Sequence, residues 1–347
     1  MLRNILFLLC FIWVFSLSFS GCGSQVKKST GQSVNDDKEL TARQGDVIGK
    51  AQEPTTQGVN DDKDFSTRQT ARQRAVSKKA LEQYDLGVKY LKGDGVTQDV
   101  SQAAHWFRKA AEQGFAPAQH NLGVMYESGE GVTQDFSKAI HWYRKAAEQG
   151  VAQAQFSLGL ISLSGKKITQ QNVTQAVQWF RKAAEQGFVP AQHNLAVVYE
   201  RSKGVTQDFS KAIHWYRKAA EQGHFQAQNN LGVMYEHGRG VTQDIAQAKQ
   251  WYQKAAEQGF AQAQFNLGRI YAQSEQDSQD NITKAAHWFR KAAEQGNAIA
   301  QFNLGVMYAL GKGVSRNLTE AEHWLSKAAA QGDVKAQQAL EKLRQER

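Results

Sequence analysis

The stretch Gln134–Gly150, QDFSKAIHWYRKAAEQG, decides the reading because it returns: residues 208–223 are again DFSKAIHWYRKAAEQG. With Trp142 as anchor, further copies align on Trp106, Trp179, Trp215, Trp251, Trp288 and Trp324, at intervals of 36 or 37 residues. Self-similarity at such a period is the mark of a repeat array, and it governs every local reading that follows.

The register extends beyond the tryptophan. Seven residues before it stands Asp or Asn (Asp99, Asp135, Asn172, Asp208, Asp244, Asn281, Asn317), three before it alanine, and eight after it glycine. An Asx side chain caps the orphan N–H groups that begin a helix. Glycine takes the left-handed conformation that ends one. Ala, Trp and Ala between them, three and four residues apart, predict a helix with one buried stripe, here helix B. Upstream lies a second apolar segment, best seen at 118–126, AQHNLGVMY, in which Ala118, Leu122 and Tyr126 share a face. This predicts helix A. Gly123 beside that face costs about 1 kcal/mol against alanine in a helix interior, so a packing reason is expected, here the approach of a neighbouring backbone. The same small position is Gly87, Gly159, Ala196, Gly232, Gly268 and Gly305.

Helix A, a Gly-x-Gly-Val turn such as 129–132, helix B with Trp and Lys-Ala-Ala, and a closing glycine together resemble the Sel1-like repeat, a relative of the tetratricopeptide repeat. The resemblance covers seven repeats and implies an all-α fold, an α/α solenoid (superhelix) of helix-turn-helix units. It implies a protein-interaction role without naming a partner. The expected organisation is a leader at 1–21, a polar tether at 22–77, seven repeats at 78–332, and a capping helix at 333–347 in which Glu341 and Arg344 replace the repeat's Gly and Tyr. Stacked repeats bury a continuous core against their neighbours.

The leader has a single charge, Arg3, before an apolar run, the layout of an export signal. It ends Phe19-Ser20-Gly21-Cys22, which resembles a bacterial lipoprotein box, although Phe19 stands where leucine is usual. The resemblance implies lipidation (palmitate) at Cys22 and a location in the cell envelope, at the outer membrane facing the periplasm because Gly23, not aspartate, follows the cysteine. The alternative is an ordinary signal peptide or uncleaved anchor. Cys10 is the other cysteine of the chain, so the mature repeats are expected to hold by packing without disulfides. The tether is too polar to offset its ordering entropy and is expected to be disordered, spanning on the order of 40 Å as a coil.

The chain carries a net charge of +9, much of it in a repeated Arg-Lys of helix B such as Arg144-Lys145. Export argues against nucleic acid as partner. A glutamate four residues after each such arginine, for example Glu148, is expected to neutralise it in part. The rest of the basic face leaves open an attraction to acidic envelope polymers. Histidines precede five of the tryptophans, one per repeat, too far apart to share a metal, and no metal or cofactor is expected. Some cysteine-stapled relatives of the family are described as binding or hydrolysing penicillin-like compounds. Ser-x-x-Lys occurs at Ser164–Lys167 and Ser24–Lys27 without the Ser-Asp-Asn or Lys-Thr-Gly that should accompany it, so no catalytic residue is assigned.

The candidate interaction surface is the helix A row opposite Leu122: His120, Val124 and Glu127, with equivalents in each repeat. By the tetratricopeptide analogy it lines the concave side. The row turns apolar late in the chain, where Phe265 and Phe302 are expected as anchors, Arg269 as selector for a partner carboxylate, and Asn266 and Asn303 as holders of a peptide backbone. The competing reading buries these residues between helices. The expected function is a membrane-anchored scaffold that binds a protein or peptide. The second reading is an accessory of envelope-polymer or exopolysaccharide secretion.

Overall fold

The computed structural model describes residues 77–164, 168–201, 206–274 and 278–345. The leader, Cys22, the tether up to residue 76 and Lys166–Lys167 of the Ser-x-x-Lys pattern lie outside the described residues. Among the described residues the chain is helical throughout, without strands. Helices A and B alternate: α1 (77–92) and α2 (Val100–Glu112), α3 (Ala116–Ser128) and α4 (Phe136–Glu148), α5 (Ala152–Leu163) and α6 (Gln170–Glu185), α7 (Val189–Arg201) and α8 (Phe209–Glu221). They continue as α9 (Phe225–His237) and α10 (Ile245–Glu257), α11 (Ala261–Ala272) and α12 (Gln279–Glu294), α13 (Ala298–Leu310) and α14 (Leu318–Ala330), closed by α15 (Val334–Gln345). Each helix packs chiefly on its neighbours in sequence, A against B within a repeat and B against the next A. That is a seven-repeat α/α solenoid.

The core differs from the sequence reading by one position. The residue after each tryptophan, Phe107, Tyr143, Phe180, Tyr216, Tyr252, Phe289 or Leu325, is the buried rung of its repeat. The tryptophans themselves are only partly covered in repeats one, two, three and five, and each lies under the ammonium of a lysine three residues on, 4.3–5.1 Å from the ring. The rung explains the helix A glycine. A Cβ on Gly123 would sit 2.7 Å from the Tyr143 ring, and one on Gly232 2.7 Å from Tyr252. The close approach is by an aromatic ring of the same repeat, not by a neighbouring backbone. The second glycine of the turn is constrained twice: Gly131 has φ +70°, and a Cβ there would strike the Val100 carbonyl of the preceding repeat.

Helix caps follow the sequence with one correction. Asp99, Asp135, Asp208, Asp244 and Asn317 are N-caps as expected, each accepting a backbone N–H of the first turn. In repeats three and six, the two with a 37-residue interval, the helix starts three residues earlier. Thr169 and Ser278 cap it, and Asn172 and Asn281 lie inside the first turn. A hydroxyl one turn upstream offers the competing cap, and at Thr169 it closes a reciprocal capping box with Asn172. The closing glycines 114, 150, 187, 223, 259, 296 and 332 all have positive φ, 86–91°.

A buried glutamine spine ties the repeats together. Gln119, Gln155, Gln192, Gln228, Gln264 and Gln301 each donate Nε2 to the penultimate carbonyl of the preceding helix B, 3.0–3.2 Å away. Each accepts at Oε1 from the glutamine that ends its own repeat, Gln149 through Gln331, at 2.7–2.8 Å. Each of these C-terminal carbonyls also accepts the N–H of the closing glycine, so the glutamine supplies a second hydrogen bond inside the core.

Candidate interaction surface

The helix A row rests on the rungs. His120 lies over Tyr143 and His193 over Tyr216, both at 5.8 Å between ring centroids, while Phe156 covers Phe180 at 5.7 Å and Phe265 covers Phe289 at 6.0 Å. The chemistry is matched pair by pair. A tyrosine rung also finds a carboxylate two turns further along helix A: Tyr143 donates to Glu127 at 2.5 Å, Tyr216 to Glu200 at 2.6 Å and Tyr252 to Glu236 at 2.7 Å. Where the rung is Phe107, Phe180, Phe289 or Leu325, that position is Leu91, Leu163, Ala272 or Ala309. The glutamates of the row therefore answer the buried phenols, and burial with the neighbouring carboxylate pushes those phenols well up, so they stay protonated donors.

A second layer covers the row from the start of the following helix A. Phe115 packs on Tyr84 at 5.2 Å, Phe188 on Phe156 at 5.4 Å and His224 on His193 at 4.7 Å. The two tilted imidazoles are half-buried, and burial disfavours their charged forms. Burial, with the neighbouring His224, holds His193 down to about 3, and burial holds His224 down to about 4. In repeats six and seven the covering residue is Asn297 or Asp333. Their side chains turn back to cap α13 and α15, accepting from Ala300 N at 2.9 Å and Ala336 N at 3.0 Å.

The residues expected to bind a partner fall into two groups. Asn266 is buried, donating to Asn229 Oδ1 at 3.0 Å and accepting from Gln262 at 3.3 Å. Arg269 pairs with buried Glu236 at 2.6 Å, across the joint between repeats five and six. Both are thus engaged in binding one repeat to the next. Phe265 is half-buried on the core of the last two repeats. Phe302 and Asn303 are half-buried and border an open cleft of about 360 Å³ with Ile299, Asp333, Val334 and Lys335.

The basic face of helix B also differs from expectation. Arg108, Arg181 and Arg217 donate across to Tyr126, Tyr199 and Tyr235 of the next repeat at 2.7–3.0 Å, and Arg290 does so to Tyr308. The arginines reach over the inter-repeat joint to a phenol rather than along their own helix to the glutamate. Among the described residues no three of His, Cys, Asp and Glu converge as metal ligands, and no helix is long and apolar enough to cross a membrane.

The comparisons bear on this architecture directly. The Sel1 repeat model matches seven consecutive segments, 83–115, 116–151, 152–188, 189–224, 225–260, 261–297 and 298–333. The chain belongs to the Sel1 repeat family. Sel1 repeat proteins generally act as protein–protein interaction scaffolds. The solved structure of a protective antigen of uropathogenic Escherichia coli strains is similar, with 42% identity, a TM-score of 0.71, and 75% of this chain covered. This chain spans only 56% of that one. A Sel1 repeat protein of Oxalobacter formigenes is 40% identical with a TM-score of 0.63, covering 76% of each chain. A search of curated proteins finds no match.

Two features of this Sel1 array escaped the sequence reading and left signals in it. The spine is spelled by the glutamine after each helix A alanine and the glutamine before each closing glycine. The rung pairing is spelled by Tyr with Glu and Phe or Leu with an apolar residue, repeat by repeat.

Proposed function

We propose that this Sel1 repeat protein is a non-enzymatic scaffold of the cell envelope, held to the membrane by lipid on Cys22 and capturing a protein partner on the helix A row of its last repeats. The observation that carries the second half is the absence of a covering ring at repeats six and seven, where the half-buried capping residues Asn297 and Asp333 stand beside Phe265 and Phe302 and a cleft opens at Phe302. Aromatic anchors beside open space are where interface energy concentrates. Phe302 and Asn303 border the cleft and so carry more of the contact than Asn266 and Arg269, whose polar groups are engaged between repeats. The leader layout and the small residues before Cys22 support the anchor.

Changing Cys22→Ser tests the anchor. The serine variant is expected to leave the membrane fraction or to accumulate unprocessed with its leader. A variant that partitions and migrates like the wild type removes the lipid from the account.

A further inference from the structure

We propose that the cleft at the end of the helix A row takes an aromatic side chain presented on an extended segment of a partner protein; the proposal rests on the scaffold reading and specifies its ligand. The repeats themselves show what fits. In repeats one and three the ring of helix A, Tyr84 or Phe156, is covered by a phenylalanine from the next unit, Phe115 or Phe188, at 5.2 and 5.4 Å. In repeat seven the same position is Asp333, whose carboxylate is turned to Ala336 N, and Phe302 borders an open cleft instead of a ring. Repeat six makes the same exchange at Asn297, but there another repeat follows. Repeat seven is followed by α15.

One wall is apolar where the corresponding wall is not, and Asp333, Lys335 and Asn303 form the polar rim. Ile299 is 54% exposed and Val334 61% exposed on either side of Phe302. The position of Ile299 is proline or glutamine in repeats two to six. An exposed isoleucine and valine facing one space mark an apolar ligand. The volume of about 360 Å³ is at the small end of ligand pockets, suited to one side chain and its backbone rather than to a whole cofactor. Asn303 on the rim offers a donor and an acceptor to the peptide backbone on which that side chain rides.

The test uses the full-length chain with labelled Ile and Val methyls and N-acetyl-phenylalaninamide as probe, with N-acetyl-leucinamide beside it. Saturable shifts of the Ile299 and Val334 methyls are expected, with at least threefold tighter binding of the phenylalanine probe. Asp333→Phe places a ring over Phe302 as in repeats one and three, so it should weaken the probe at least tenfold in a chain that still folds, melting somewhat lower for the lost α15 cap. Ile299→Gln, the residue of repeats three, five and six in reverse of nothing but the wall, should weaken it at least threefold without touching the fold. Shifts that do not saturate, equal binding of the two probes, or full binding in a folded Ile299→Gln chain would overturn the proposal. So would a concentration-dependent dimer that Asp333→Phe abolishes, since the occupant would then be a second copy. The probe needs no cellular partner. A wild-type chain that binds it but captures no protein from membranes therefore sinks the scaffold reading and leaves the cleft standing.

Discussion

A buried phenol needs an acceptor, and a carboxylate beside it needs a donor. Tyr143 and Glu127 meet both needs at 2.5 Å. Repeat three solves the same problem without polar atoms, using Phe180 and Leu163. Tyr143→Phe should therefore cost about 1–2 kcal/mol by stranding the glutamate, and Glu127→Leu a similar amount by stranding the phenol. The double variant recreates the repeat-three pair and should cost less than the sum of the two by about 1 kcal/mol. Urea melts of the four chains measure this coupling, and additive losses would mean that the pair is incidental. The tryptophans drew the sequence reading because they are invariant across the seven copies. Their neighbours vary between Tyr, Phe and Leu, and that variation is the signature of a core position matched to its own surroundings.

At the scale of the element, the joint between α7 and α9 holds two imidazoles where repeat three holds Phe156 and Phe188. His193 and His224 stack at 4.7 Å, with ring nitrogens engaged by Asn194, by Asn230 and by the backbone of Ala227. Burial lowers both, to about 3 and about 4. The unfolded chain takes up these protons below about pH 6.5 and the folded chain does not, so stability falls as pH drops from 6.5 towards 4. At pH 5 the loss is on the order of 1–2 kcal/mol for each histidine. Replacing both by phenylalanine should flatten that part of the pH profile, as read from urea midpoints between pH 7.5 and 5. An unchanged profile would place the loss elsewhere. Helix order, the turn glycines and five of the seven helix B caps were legible in the sequence, because capping chemistry acts over three residues. The caps at Thr169 and Ser278 were not, since a hydroxyl and an amide three residues apart compete on nearly equal terms and the extra residue of those repeats decides between them. The fates of Asn266 and Arg269 were not legible either. Their partners, Asn229 and Glu236, lie 37 and 33 residues back, and only the packed joint brings them together.

For the chain as a whole, nearest-neighbour packing makes each repeat depend on the next, and the rungs, the spine and the Arg–Tyr contacts all cross or brace those joints. Repetition made the fold readable; the surface that distinguishes this array lies where repetition lapses. Two lapses fall at the end of the chain: Asn297 and Asp333 stand where Phe115, Phe188 and His224 cover the row, and Ile299 stands where repeats two to six have glutamine or proline. The central claim is that this end captures a protein. It is tested most directly by crosslinking capture from membranes with the Phe265→His, Phe302→His double variant. Histidine is the native residue of the row in repeats two and four, where it lies over a tyrosine rung; over Phe289 and Leu325 it keeps a planar ring of smaller size at some cost in stability. The account predicts that the crosslinked partner is lost while the variant remains folded, with its urea midpoint at neutral pH lowered by no more than about 2 kcal/mol. A folded double variant that captures the same protein at the wild-type level would contradict it.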